Sequence, residues 1–287
     1  MNHVNAILAN FLWGMVPAYY FVVRSVDPLR MTAYRFVFTF LLLLLIGILL
    51  RKSYTLHFLR QSLIPAGLLT INAYVYLVAV MGGHVLEAAY GYLMAPILTI
   101  VLGRLILLEP LSVNQWTGTI VCLAAIVFYA AMAYTLPWFG FGIALPFALY
   151  LIWHRQKGSL SSIEALKHES LVMLIVPFSL FAFFGSELEA LVLFELGGEL
   201  GIVIVASGLV TVVPLALYVN SCIGPSIIYL GAYQFIAPIV SALVAIFLFE
   251  ETMTMAKAIT GTGLLIGLAF VTLPIGSYFE GKTRSTN

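Results

Sequence analysis

Charge is what this sequence has least of. Only 9% of its 287 residues are Asp, Glu, Lys or Arg, and 62% are hydrophobic. A typical soluble domain carries about 25% charged residues, so a water-soluble fold of this size has too few to cover its surface. The shortage vanishes if lipid is the solvent, because most of the outer surface must then be apolar. A mean hydropathy of +1.08 points the same way. The formal net charge of +1 excludes the basic excess that marks nucleic-acid binders.

Cysteine is nearly absent as well. Cys122 and Cys222 lie in or beside apolar stretches, with neither a CxxC spacing nor a His neighbour. They read as small packing residues, not as a disulfide or a metal pair. Enzyme signatures are missing too: there is no P-loop, no HExxH, no nucleophile elbow and no metal-ligand cluster. The expectation is a non-enzyme with no metal and no cofactor. Without an ATP-binding motif, active transport has to draw on an ion gradient, on exchange or on a partner.

What the chain has in abundance is long apolar runs. A bilayer-spanning helix needs roughly 20 mostly apolar residues. Runs and breaks predict spans at 4–24, 29–50, 62–82, 84–108, 113–133, 138–154, 168–186, 199–220, 226–249 and 257–276. The first, from Val4 to Val23, is too long for a signal-peptide core and lacks a small-residue cleavage site. Barrel strands are about 10 residues long and alternate strictly; these runs do neither. The fold class is therefore an all-α membrane protein with about ten transmembrane helices.

The basic residues set the orientation. With the N-terminus inside, the inner connections and tail carry Arg51, Lys52, Arg60, Arg104, Arg155, Lys157, Lys167, Lys282 and Arg284. The outer ones carry Arg24, Arg30 and Lys257. The positive-inside rule then places both termini in the cytoplasm.

Two stretches echo each other. Tyr90-Gly91-Tyr92-Leu93-Met94-Ala95-Pro96 in the fourth span resembles Ala232-Tyr233-Gln234-Phe235-Ile236-Ala237-Pro238 in the ninth, and a glutamate follows each proline by 13 residues, at Glu109 and Glu251. The first and sixth spans share Pro17 and Pro146, followed by Tyr20 and Tyr150. The pattern predicts two five-helix repeats, 1–136 and 137–287. Five is odd, so the halves are inverted. Inverted repeats are a common transporter plan, with the substrate held near the midplane.

The stretch Leu86-Glu87-Ala88-Ala89-Tyr90-Gly91-Tyr92, with Pro96 and Glu109, resembles the RarD family, in the EamA branch of the drug/metabolite transporter superfamily. Gly208-Leu209-Val210-Thr211-Val212-Val213-Pro214, followed by Gln234 and Pro238, carries the rest of the likeness. The resemblance implies a ten-helix inverted-repeat transporter in a bacterial inner membrane, with relatives that export diverse metabolites. The chain departs from the family pattern in Tyr34 before Arg35, and in Ala73 and Leu77 of the third span.

Polar residues inside the spans are the candidates for the substrate pathway. Arg35 lies about 9 Å into the second span at 1.5 Å per residue. A central arginine costs roughly 2.5–3.5 kcal/mol on insertion scales, so it either snorkels or faces a cavity and binds anionic groups. Glu169, near the start of the seventh span, is its counterpart of opposite charge. Glu87 shares a helix face with Tyr90, Gly91 and Met94, where a carboxylate can hold a proton or an amine. Asn72 and Tyr76 share a face of the third span, and Tyr233 and Gln234 add polar groups in the ninth. Pro96 and Pro238 are the hinge candidates. Gly263 and Gly267 form a GxxxG, read either as an intrachain contact or as a homodimer contact. Glu109 and Glu251 read as helix-end residues, and Ser112 with Gln115 as a capping box.

The leading function is a secondary transporter, an exporter of small metabolites or drug-like compounds, coupled to protons through Glu87 or Glu169 or working by exchange. The alternative is a subunit that translocates membrane lipid or a lipid-linked sugar. The expected partners are a small-molecule substrate and membrane lipid.

Overall fold

The computed structural model describes residues 2–49, 56–108, 111–157, 162–183, 195, 197–221, 233 and 235–272. Among these every regular element is a helix. They are α1 (Asn2–Val22), α2 (Pro28–Leu49), α3 (Leu56–Gln61), α4 (Leu63–Met81), α5 (Val85–Leu107), α6 (Val113–Ala133) and α7 (Trp138–Lys157). After them come α8 (Ser162–Met173), α9 (175–183), α10 (Gly201–Val205), α11 (Ser207–Ser221), α12 (Ile236–Phe247) and α13 (Met255–Thr272). The pairs α3–α4, α8–α9 and α10–α11 each continue across a single turn residue, so these elements form ten successive helical segments among the described residues.

Among the described residues six stretches are long and apolar enough to cross a bilayer: Pro28–Leu49, Leu63–Met81, Val85–Leu107, Val113–Ala133, Ala165–Phe183 and Gly201–Tyr218. Shorter apolar helices run over Trp138–His154, Ile236–Phe247 and Met255–Val271. α1 has 21 residues, and Asn5 and Asn10 dilute its apolar character. The chain is a multi-pass membrane protein.

Helix ends follow local chemistry. Asp27 opens α2: its carboxylate accepts from the amides of Leu29 at 3.0 Å and Arg30 at 3.1 Å, and Pro28 takes the first helical position. Ser112 and Gln115 cap α6 reciprocally, at 3.3 and 2.9 Å. The seventh segment departs from the hydropathy reading, starting at Ser162 instead of 168. The run Ser162-Ile163-Glu164-Ala165-Leu166-Lys167 is a good helix former, but its polar members hide the start from a hydropathy scan.

The helices pack in a definite pattern. α5 packs on α7 and α12 on α1; α4 packs on α7 and α11 on α1; α2 packs on α11 and α8 on α4; α6 packs on α13. Exchanging the first five segments with the last five maps this set of pairs onto itself. The tightest seam joins α6 and α13. A Cβ at Gly267 would overlap Cys122 Sγ, one at Gly118 would come within 2.5 Å of the Gly267 carbonyl, and one at Gly263 within 2.7 Å of Ala125 Cβ. The GxxxG is thus spent inside the chain. Large apolar side chains such as Leu45, Ile48, Val127, Phe178 and Phe247 are exposed on the outside, as a lipid-facing surface requires.

Candidate substrate site

Arg35 is the seventh residue after Pro28, about 10 Å along α2 at 1.5 Å per residue. Its Nε donates to Thr211 Oγ1 at 3.1 Å, and Thr211 Oγ1 in turn donates to the Ser207 carbonyl at 3.0 Å. Gly208 makes this approach of α11 to α2 feasible, since a Cβ there would sit 2.5 Å from the Phe38 carbonyl oxygen. Tyr20, Tyr76 and Tyr92 are the ionisable groups facing the guanidinium, with Tyr20 close enough to hydrogen-bond it. No carboxylate among the described residues pairs with Arg35. Arg30, one turn and a little earlier, differs: its Nη2 lies 3.4 Å from Glu195 Oε1, and Tyr34 donates to the same carboxylate at 2.6 Å.

The tyrosines form a row. Tyr19 and Tyr20 meet edge to face at 4.9 Å between centroids, Tyr20 and Tyr76 at 6.2 Å, and Tyr76 and Tyr92 at 5.6 Å. Tyr19 is fixed by donating to the Val203 carbonyl at 2.8 Å. Tyr92 keeps 38% of its surface accessible although it stands beside Arg35 within the bundle. Arg35 itself is partly accessible. Arg35 and Tyr92 thus both keep accessible surface beside a row of tyrosine rings. Pro96 cannot donate to the Tyr92 carbonyl one turn back, so that oxygen loses its usual helical donor. The Ser207 and Thr39 hydroxyls are buried with no hydrogen-bond partner among the described residues.

Glu169 stands seven residues after Ser162, the same distance into α8 that Arg35 stands into α2. Its side chain is fully buried. Tyr150 donates to Oε2 at 3.2 Å, and His154 Nε2 lies 2.8 Å from Oε1. Lys167 and His168 beside it on α8 are buried too, and the His168 ring meets Phe58 of α3. The earlier helix start puts this carboxylate deep in the protein instead of in the interface.

The other expected residues scatter. Tyr76 joins the Arg35 row. Asn72 does not: its Nδ2 donates to the Ile143 carbonyl at 2.8 Å and ties α4 to α7. Glu87, Tyr90 and Gly91 lie on the side of α5 turned to α7 and α13. There Glu87 pairs with His84 Nδ1 at 3.7 Å, and Tyr90 donates to the Lys257 carbonyl at 2.6 Å. A Cβ at Gly91 would come within 3.0 Å of the Gly140 carbonyl oxygen. Glu251 serves as a helix-end residue: it accepts from the amides of Val85 and Leu86 and lies 3.5 Å from Lys257 Nζ. That satisfies two of the donors at the N-terminus of α5 with a favourable charge. Tyr233 hydrogen-bonds His3 Nδ1 at 2.9 Å, away from the Arg35 row. Gln234, Glu109 and Cys222 lie outside the described residues. Pro96 interrupts the continuous helix α5, whereas Pro238 stands in the first turn of α12.

Four participants were not among the expected ones. Tyr92 and Tyr20 complete the aromatic row, and Thr211 and His154 hold the two buried charges. One signal was readable: His154 follows Tyr150 by one helical turn, so both present to one neighbour. The partner of Arg35 was not, since nothing local links residue 35 to residue 211.

Comparison with known proteins agrees with this architecture. Residues 2–131 match the EamA-like transporter family. The RarD protein of Escherichia coli K12 is 26% identical over 92% of this chain and 91% of its own length. A Bacillus subtilis 168 protein described as uncharacterized transporter YojE is 26% identical over 87% of this chain and 86% of its own. An uncharacterized transporter of Pseudomonas aeruginosa, PA0485, is 26% identical over 99% and 95%. A solved crystal structure with 17% identity superposes with a TM-score of 0.59, covering 94% of this chain and 97% of the other, which establishes the fold. Over residues 2–131 the chain is thus similar to the EamA-like transporter family, and over most of its length to RarD-type proteins.

Proposed function

We propose that the chain is a secondary active transporter of the bacterial inner membrane. It exports small metabolites or drug-like compounds by alternating access between two inverted halves, 1–136 and 137–287, with both termini cytoplasmic. Arg35 carries this reading. A guanidinium with no carboxylate partner among the described residues is held in the bundle by α2 of one half and Thr211 of the other, where a moving interface would bind and release cargo. Intramembrane ionisable residues that face a cavity mark transport pathways. The packing pairs that survive exchange of the halves support the repeat, and the transporters named among the relatives support the activity.

Energy comes from a proton gradient or from exchange. Glu169, sealed beside His154, is the better placed of the two carboxylates for a proton step. Glu87 sits among Glu251, His84 and Lys257 at the end of α5.

The test is counterflow in liposomes reconstituted with the purified protein and loaded with members of a metabolite panel. Uptake of labelled compound against its own gradient, lost in Arg35→Gln, is the expected result. Absence of exchange for every soluble compound, together with movement of labelled lipid between leaflets, would overturn it.

A further inference from the structure

We infer that the Arg35 site takes a monoanionic carboxylate attached to a flat aromatic or similarly apolar body. The inference deepens the transporter reading and rests on it for calling the bound molecule a substrate.

The charge argument comes first. Arg35 spends Nε on Thr211 and lies within hydrogen-bonding reach of the Tyr20 hydroxyl, and no carboxylate among the described residues meets its two terminal nitrogens. Those two nitrogens form the fork that matches a carboxylate with two parallel hydrogen bonds. The ionisable groups that face it are the phenols of Tyr20, Tyr76 and Tyr92, with that of Tyr19 nearby. One uncompensated positive charge in low dielectric calls for one negative charge. A dianion would leave a surplus, and a cation would meet repulsion with nothing to offset it.

The shape argument is independent of charge. Beside the guanidinium stands a row of tyrosines joined edge to face, and Tyr92 at its end keeps accessible surface. An aromatic guest bound to Arg35 can extend that row with ring contacts of the kind already made within it. The phenol hydroxyls offer polar positions for substituents that set specificity.

Binding of five probes to the purified protein separates the two arguments: 3-phenylpropionate, its amide, 3-phenylpropylamine, propionate and phenyl phosphate. The acid should bind roughly tenfold or more above its amide, the gap expected for losing a charge-assisted hydrogen bond. The amine and phenyl phosphate should also bind less tightly than the acid, and propionate should lose affinity for want of a ring. Arg35→Gln should bring acid and amide to equal affinity. Arg35→Lys, which keeps the charge and loses the fork, should retain a reduced acid preference and keeps the test available if the glutamine variant does not fold. Equal binding of acid and amide by the unaltered protein, no binding of the acid by folded protein, or an acid preference surviving Arg35→Gln would overturn the inference. Counterflow of neutral or cationic compounds without an acid preference would sink this inference and leave the transporter reading standing. Acid binding with no translocation would do the reverse.

Discussion

Two buried charges stand at matched depth in corresponding helices, and the protein treats them oppositely. Arg35, seven residues into α2, has the hydroxyls of Thr211 and Tyr20 within reach, partial accessibility and no counter-charge among the described residues. Glu169, seven residues into α8, has no accessible surface, and both its oxygens are engaged by Tyr150 and His154 of α7. A buried charge is costly unless it is paired and hydrogen-bonded. Glu169 meets that requirement within the protein. Arg35 meets it only in part, which is the condition of a group that finishes its coordination on a ligand. The lesson is that matched position does not imply matched role: symmetry of the backbone leaves the chemistry of each half free.

The largest effect should come from stripping the compensated charge of its partner. His154→Ala leaves a fully buried carboxylate with the Tyr150 hydroxyl alone among its described partners, and breaking a buried pair from one side costs about 3–5 kcal/mol. Equilibrium unfolding in detergent should register that loss. Glu169→Gln in the same background should recover most of it, because the stranded charge is gone. A His154→Ala protein as stable as the parent would mean that Glu169 is satisfied by groups other than those seen here.

At the uncompensated charge the balance should invert. Arg35→Gln should cost less than about 1 kcal/mol of stability, since it removes a desolvated charge together with one hydrogen bond. Its effect belongs in binding and counterflow instead, where a tenfold or greater loss is expected for a charge-assisted contact. A stability loss above about 3 kcal/mol would class Arg35 with Glu169, as a group whose needs the fold itself meets.

A smaller change sharpens the same contrast. Tyr150→Phe removes one donor from Glu169 while leaving His154 in place, and should cost about 1 kcal/mol in unfolding. Thr211→Val removes the corresponding anchor from Arg35. It should cost a similar amount of stability while weakening acid binding severalfold, because the guanidinium loses the contact that aims it.

How much of this was readable beforehand depended on range. Periodicity and hydropathy placed the helices and the depth of Arg35 well, since both are local properties of the chain. The capping box at Ser112 and Gln115 and the helix-end role of Glu251 were likewise legible, because each occupies a helix boundary that composition marks. The start of α8 was not, because Glu164 and Lys167 read as a polar connection although the segment is helical. The earlier start sets Glu169 a full seven residues into its helix, where it is fully buried. Glu87, Tyr90, Gly91 and Met94 do share one face of α5, but which neighbour that face meets was not legible. Gly91 packs against Gly140, which turns Glu87 and Tyr90 toward α7 and α13 and delivers Tyr92 to Arg35. No local rule decides which side of an apolar helix meets which neighbour.

The smallest expected effect is the most exacting test of the comparison. α2 and α8 pack against each other, and opposite charges on touching helices invite the reading that Arg35 and Glu169 are one buried ion pair. Among the described residues the two side chains share no hydrogen-bond partner: Thr211 and Tyr20 on one side, Tyr150 and His154 on the other. A double-mutant cycle with Arg35→Gln and Glu169→Gln should therefore give a coupling energy below about 0.5 kcal/mol, the level of sites that share no partner. Directly interacting residues show roughly 0.5–3 kcal/mol. A coupling at the upper end of that range would make the two charges mutual partners, fill the vacancy at Arg35 from within the protein, and remove the reason to expect an anion there.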